Sequence, residues 1–197
     1  MRAIASKKSV LLLLAVTLAA IGEARAERLP IKAYTTADGL AHNRITRIVR
    51  DSRGFLWFCT ADGLSRFDGA RFTNYNVEDG LPSTSINLLL ETRGGDYWVA
   101  TNGGGVARLN SSAGPRPMAP TESHARFRAY PISNEAATNR VNILLEDGTG
   151  VLWAGTDGGL FRMDGEKGEP EFHAIELQIP SRPDLSVQVW DLVEGND

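Results

Sequence analysis

Three histidines, one cysteine and a recurring set of aspartates are the residues in this chain whose types could do chemistry. His42, His124 and His173 are scattered, with no partner at the spacing a metal site needs, so each reads as a loop or surface histidine. Cys59 lies between Phe58 and Thr60 and reads as a packed thiol rather than a nucleophile. As the single cysteine it closes no internal disulfide. Paired carboxyls could hydrolyse glycosides if they met about 5–9.5 Å apart, but no spacing here sets such a meeting. Asp51 and Asp147 each stand three residues before a glycine, where a bond to their own backbone in a turn explains them. No catalytic constellation, metal or cofactor is expected. What remains is recognition chemistry, by polar residues in the links between apolar runs.

Those links are positioned by a repeat. The stretches beginning at Ile45, Ile86 and Val141 say nearly the same thing, and reach Trp57, Trp98 and Trp153 twelve residues later. A glycine precedes each tryptophan by three positions, and Thr60, Thr101 or Thr156 follows it by three. Each copy opens with a short apolar run, Ile45 to Val49, Ile86 to Leu90 or Val141 to Leu145. A turn, the tryptophan run, further glycines and a third short run follow, and a fourth is visible at Phe72 to Tyr75 and Phe127 to Tyr130. Four short strands per copy, at roughly the 40–45 residues of a four-stranded blade, predict an all-β chain built as a β-propeller. Trp57 and Trp98 are 41 residues apart, Trp98 and Trp153 are 55. The excess falls at 110–123, where Pro115, Pro117 and Pro120 mark a loop between the third and fourth strands of the second blade.

The expected organisation is a signal peptide over 1–26, then an incomplete propeller over 27–197. Arg2, Lys7 and Lys8 precede an apolar run from Val10 to Gly22, and Ala24-Arg25-Ala26 offers a cleavage site. Within the propeller, 27–40 reads as an outer closing strand and link, because Tyr34, Asp38, Gly39 and Leu40 echo Tyr75, Asp79, Gly80 and Leu81. Blade 1 spans 41–81, blade 2 spans 82–135 with its insertion, and blade 3 spans 136–180. The stretch 181–197 opens a fourth copy, Val189 standing where Ile45 does. Propellers close with 4–8 blades, so the chain reads as a fragment of a longer protein whose lateral faces would expose apolar surface. Net charge is −3, and removing residues 1–26 leaves 17 basic and 23 acidic residues. No nucleic-acid surface is expected, since phosphate contacts need clustered Lys and Arg.

The first copy carries Asn43, Ile45, Ile48, Asp51, Gly54, Leu56, Trp57, Thr60, Gly63, Leu64, Arg66, Asp68, Gly69, Phe72 and Tyr75, then Asp79-Gly80-Leu81. The third carries Asn139, Val141, Leu144, Asp147, Gly150, Leu152, Trp153, Thr156, Gly159, Leu160, Arg162, Asp164 and Gly165. The second departs, with Thr92 for the turn aspartate, Tyr97 for leucine and Gly105 inserted before Val106. This pattern resembles the two-component regulator propeller repeat. The resemblance implies the N-terminal part of a periplasmic sensor, anchored in the inner membrane through its parent. It also implies a homodimeric parent with downstream membrane-span and histidine kinase domains, and an oligosaccharide ligand. The spacing of Asp51 and Gly54 disfavours the sialidase Asp-box, where the two residues are two apart.

Two alternative functions stand beside the sensor, an exported propeller enzyme acting on glycans and a secreted protein-binding scaffold. In the expected strand order, the links into each first strand and those after each threonine share one face. That places the ligand-binding candidates His42, Asn43, Arg44, Asp62, Thr84, Ser85, Asn102, Asn139, Arg140 and Asp157 near one mouth. Asn43 and Asn139 have an alternative role in pinning their loops. Trp57, Trp98 and Trp153 read as core between blades, and Arg66, Arg108 and Arg162 as salt bridges between blades.

Overall fold

Short β-rich runs separated by glycine turns leave the backbone one economical solution, a meander in which each strand pairs with the next. The computed structural model of the protein describes residues 31–110, 126–164, 169–177 and 187–195. Blade 1 consists of β1 (Ile45–Arg50), β2 (Leu56–Thr60), β3 (Gly63–Phe67) and β4 (Phe72–Tyr75). Blade 2 consists of β5 (Ile86–Glu91), β6 (Tyr97–Thr101), β7 (Val106–Leu109) and β8 (Phe127–Tyr130). Blade 3 consists of β9 (Val141–Glu146), β10 (Leu152–Thr156), β11 (Gly159–Asp164) and β12 (Glu171–Ile175). Each is a four-stranded antiparallel sheet in sequence order, as the all-β reading requires. Among the described residues the three sheets do not close into a ring.

The repeated residues make the turns. Asp51 Oδ1 accepts the amides of Arg53 and Phe55 at 3.0 and 2.8 Å, and Asp147 Oδ1 those of Thr149 and Val151 at 2.9 and 3.0 Å. Each threonine closes the hairpin between second and third strands. Thr60 Oγ1 donates to the Gly63 carbonyl at 2.7 Å, Thr101 to Gly105 at 2.8 Å and Thr156 to Gly159 at 2.9 Å. Glycine is needed there because a Cβ on Gly63 (φ 106°) would stand 2.4 Å from the Tyr75 carbonyl oxygen. Gly105 therefore holds the place of Gly63 and is not the inserted residue. The extra residue lies earlier in the turn, where the amides of Gly103, Gly104 and Gly105 all donate to the Asn139 carbonyl at 2.9–3.1 Å.

The blades stack through joints that repeat. Each first strand is bulged near its start, where the pairing register shifts between Ile45 and Arg47, between Ile86 and Leu88, and at Val141/Ile143. A bulge re-aims one side chain, and here that residue reaches the next blade or, from blade 3, the stretch 187–195. Thr46 Oγ1 donates to the Ile86 carbonyl at 2.7 Å, Asn87 Nδ2 to Val141 at 2.8 Å and Asn142 Nδ2 to Val189 at 3.2 Å. At the other end of the strand a carboxylate reaches back. Ser52 N donates to Glu91, Arg93 N to Glu146 and Gly148 N to Glu194, each at 2.7 Å. Between the two, Trp57, Leu64, Ile86, Leu89, Val99 and Phe127 pack into one apolar cluster, and Leu88, Trp98, Val141, Leu144, Leu152 and Phe161 into a second.

No strand is assigned over 187–195, yet Val189 and Leu192 pack on the second cluster and the Val189 amide donates to the Thr156 carbonyl at 2.9 Å. Nor is a strand assigned over 31–40. That stretch ends in a capped 3-10 turn, Thr36–Asp38, with Gly39 at φ 100°. The same turn recurs at Val77–Asp79 with Gly80 at φ 95°, which is the physical content of the echo between the two stretches. The signal-peptide stretch 1–26 and nearly all of the insertion 110–123 lie outside the described residues.

Candidate functional site

Backbone bonds between the two kinds of link build one face of the blades. The amide of the residue after each repeat threonine donates to the carbonyl of the residue before each first strand. These pairs are Ala61 to Arg44 at 3.2 Å, Asn102 to Ser85 at 2.9 Å and Asp157 to Arg140 at 3.1 Å. A further bridge sets Asn102 beside Arg140 across blades 2 and 3. Asp62 is accordingly one residue out of step with Asn102 and Asp157. The side chain in their place in blade 1 is Ala61, which offers nothing polar.

A cavity of about 370 Å³ opens on this face, lined by Asn87, Asn102, Arg140, Asn142, Asp157 and Trp190. Its volume falls in the range of small-molecule sites. Arg140 Nη1 lies 3.8 Å from Asp157 Oδ2, and Asp157 Oδ1 accepts from Asn142 Nδ2 at 3.0 Å. Trp190 is 65 % exposed, a large apolar plane left open beside three amides and an ion pair. Such a set can bond hydroxyls and carbonyls through Asn and Arg while one ligand face lies on the indole.

Of the expected candidates, Asn102, Arg140 and Asp157 come together here. The others have other work or stand apart. His42 Nδ1 accepts the Arg44 amide at 2.8 Å, and Asn43 Oδ1 accepts the Thr36 amide at 2.9 Å. Asn139 spends its whole side chain on the loop, accepting from Ile132 N at 2.8 Å and donating to Ser133 O and Glu135 O at 2.7 and 3.0 Å. Arg44, Asp62 and Thr84 are exposed, and Ser85 contributes its carbonyl to Asn102. Asn87, Asn142 and Trp190 are not among the residues that sequence reasoning singles out. The signal that locates them is the repeat itself, since Asn87 and Asn142 follow the first residue of a first strand, the bulge position, and Trp190 follows Val189, which stands at the same place in the repeat.

Elsewhere, Trp57 is fully buried and Trp98 nearly so, while Trp153 is half-buried. Among the described residues, the recurring arginines form no ion pair between blades. Arg66, Arg108 and Arg162 stand directly across the ladder from Trp57, Trp98 and Trp153, so their side chains share a face with the tryptophans of their own blade. Arg66 lies 4.7 Å from the Phe55 ring centroid, Arg108 pairs with Asp96 at 2.9 Å and Arg162 with Asp164 at 2.8 Å. Cys59 is buried, and that burial pushes its thiol up to about 12. His173 sits on the outer strand 3.6 Å from Asp164, far in the fold from the cavity residues, and His124 lies outside the described residues.

Comparison with known proteins places the repeat. The two-component regulator propeller family matches at residues 39–62 and 80–103, each stretch running from the link glycine through the first two strands of a blade. Histidine kinase P4 of Formosa agariphila is 45% identical over 58 residues, which is 28% of this chain and 4% of that protein. Among solved structures, the fold resembles the extracellular domain of a protein described as a hybrid two component system from B. thetaiotaomicron. The TM-score is 0.63 at 24% identity, over 81% of this chain and 22% of that one. It also resembles PorZ, a surface component of the type-IX secretion system of Porphyromonas gingivalis, with a TM-score of 0.50 at 17% identity over 74% of this chain and 22% of PorZ. The chain spans less than a quarter of the length of these relatives.

Proposed function

Starting from a chain that carries two-component regulator propeller repeats, we propose that it is the ligand-sensing part of a two-component sensor, non-catalytic in itself. On this reading the chain is exported to the periplasm and forms the N-terminal part of a propeller. Its membrane-anchored, homodimeric parent passes the signal to a histidine kinase. The ligand is a glycan-derived oligosaccharide held at the cavity of Asn87, Asn102, Arg140, Asn142, Asp157 and Trp190. The observation that carries the reading is this cavity. It is polar and equipped with an exposed indole, and it is mounted on a repeat whose apolar residues are spent on blade packing. Sugars present hydroxyls at their edges and C–H groups on their faces, which amides and an indole plane complement. The thiol that could attack a substrate is buried and held protonated, which fits a binding role.

Calorimetric titration of the intact ectodomain against a panel of polysaccharide digests tests the proposal. An oligosaccharide should bind, and Trp190→Ala or Arg140→Ala should weaken it at least tenfold while leaving the unfolding midpoint nearly unchanged, because both side chains are largely exposed. Arg44→Ala, on the face but outside the cavity, should bind as the wild type does. Equal affinity in all variants moves the site elsewhere, turnover of the glycan replaces the sensor with an enzyme, and silence across the panel points to a protein partner.

A further inference from the structure

Three joints in the fold share one chemistry, and the free face of blade 1 departs from it at a single position. In each joint the following blade contributes an aliphatic residue, a second one three positions on, and a carboxylate two positions after that. The sets are Ile86, Leu89 and Glu91, then Val141, Leu144 and Glu146, then Val189, Leu192 and Glu194. The carboxylate accepts the amide that follows the turn residue Asp51, Thr92 or Asp147 of the preceding blade. Blade 1 presents Ile45, Ile48 and Arg50 in these places. Ile48 is 54 % exposed where Leu89 and Leu144 are 1 % and 5 % exposed. The apolar half of a joint is therefore present and uncovered, and its polar half carries the opposite charge.

We propose that this face is a joint of reversed polarity, whose occupant is a further blade of the same repeat bearing an aspartate or glutamate on its hairpin turn, where Ser52, Arg93 and Gly148 stand here. The inference rests on the reading of the chain as part of a longer propeller. The aliphatic pair has the spacing that receives a blade in the other three joints, so a blade is the occupant its shape selects. A guanidinium has five N–H donors and no acceptor, so Arg50 cannot take the turn amide that glutamate takes. Covered by a neighbour, it requires an acceptor, and a carboxylate is the partner that offsets the loss of water around the charge. Among the described residues, Arg50 makes no ion pair within its own blade.

Thermal unfolding of the full natural polypeptide, as wild type, Arg50→Lys and Arg50→Glu, tests this. Arg50→Lys should unfold within about 1 °C of wild type, while Arg50→Glu should lower the propeller midpoint by about 2–4 °C. Replacing the turn acid of the facing blade by arginine should restore the Arg50→Glu midpoint. A midpoint that rises in Arg50→Glu would show that the facing turn offers an amide like the others, and would overturn the proposal. An unchanged midpoint would mean that the face is uncovered, and would overturn it equally. A midpoint that climbs with protein concentration, together with a dimeric native mass that Ile48→Asp abolishes, would give the face to a second copy and also refute the proposal. Oligosaccharide titration of the same variants stays at wild-type affinity, so failure of the joint and failure of the sensor reading are read from different measurements.

Discussion

The turns of blades 1 and 2 hold the same place in the repeat and treat the tryptophan beneath them differently. In blade 1, Asp51 is buried and its Oδ2 accepts from the Trp57 indole at 2.9 Å and the Tyr97 hydroxyl at 3.1 Å, with Arg53 Nε at 3.9 Å. In blade 2, Thr92 keeps only the turn. Its Oγ1 accepts the Asp96 amide at 3.0 Å, and Trp98 lines a cleft of about 260 Å³ with Thr92, Asp96, Arg108 and Leu152. Blade 3 reverts to the first arrangement, with the Trp153 indole 2.7 Å from Asp147. One carboxylate thus serves a turn, the core beneath it and a neighbouring blade. In its place Thr92 keeps the turn alone and lines the cleft.

The comparison breaks most visibly if Asp51 is removed. Asp51→Ala strands a buried indole N–H and two turn amides and leaves the cross-blade Tyr97 hydroxyl to Glu91 alone, and should cost about 2–4 kcal/mol, read as a lower denaturant midpoint of the propeller. Asp147→Ala removes a more exposed copy of the same bonds and should cost less. A loss at Asp147 equal to that at Asp51 would show that the cross-blade tyrosine contributes nothing.

Acid should reach the same carboxylate. Burial works to raise Asp51, but the Trp57 indole, the Phe55 amide, the Tyr97 hydroxyl and the Arg53 charge outweigh it and hold the carboxyl below its usual 3.8. The unfolded chain therefore takes up the proton first. The stabilisation is fully present above about pH 4 and is lost as pH falls through the lower folded value. Unfolding midpoints measured from pH 5 downward should fall less steeply in Asp51→Ala than in wild type. Parallel curves would contradict the linkage.

The converse change sharpens the comparison. Thr92→Asp restores the acceptor above Trp98 and should raise stability by about 1 kcal/mol. The cleft should also shrink, seen as a blue shift of Trp98 emission. A loss of stability instead would show that Glu146 and Asp96, which share the cleft, repel the new charge.

These differences mark what the residues declare in advance and what they cannot. Tryptophan, threonine and glycine recur because every blade needs the same turn and the same hairpin closure, so strand order is legible from spacing. The bulge is not, because it is a property of backbone pairing. Asn87 and Asn142 owe their place in the cavity to it. Asp62 enters the candidate set by its charge, although hydrogen bonding places Ala61 opposite Arg44. The arginines invite a reading as bridges between blades because charge recurs visibly in sequence. The ladder register that sets them over tryptophans of their own blade emerges only once strands are paired.

The smallest effect should come from Tyr97, the residue that links the two turns. Its hydroxyl has one hydrogen and two carboxylates within reach, Asp51 Oδ2 at 3.1 Å and Glu91 Oε1 at 3.0 Å. Both acceptors keep other donors when the hydroxyl is gone, Asp51 from Trp57 and Glu91 from Ser52. Tyr97→Phe should therefore cost about 0.5–1 kcal/mol near neutral pH. Its signature lies at high pH. Burial first, then the Glu91 and Asp51 carboxylates, push the phenol from 10 up to about 12. A folded value above the unfolded one means that the stabilisation is complete below about pH 10 and is lost as pH climbs toward 12. Cys59, raised to about 12 from 9 by burial, loses its own contribution across a window that begins one unit lower. In Cys59→Ala, only the tyrosine part of the alkaline loss should remain, and adding Tyr97→Phe should flatten it further. An alkaline profile that Tyr97→Phe leaves unchanged would mean that the hydroxyl does not bridge the turns in solution, and would leave Asp51 acting on its own blade alone.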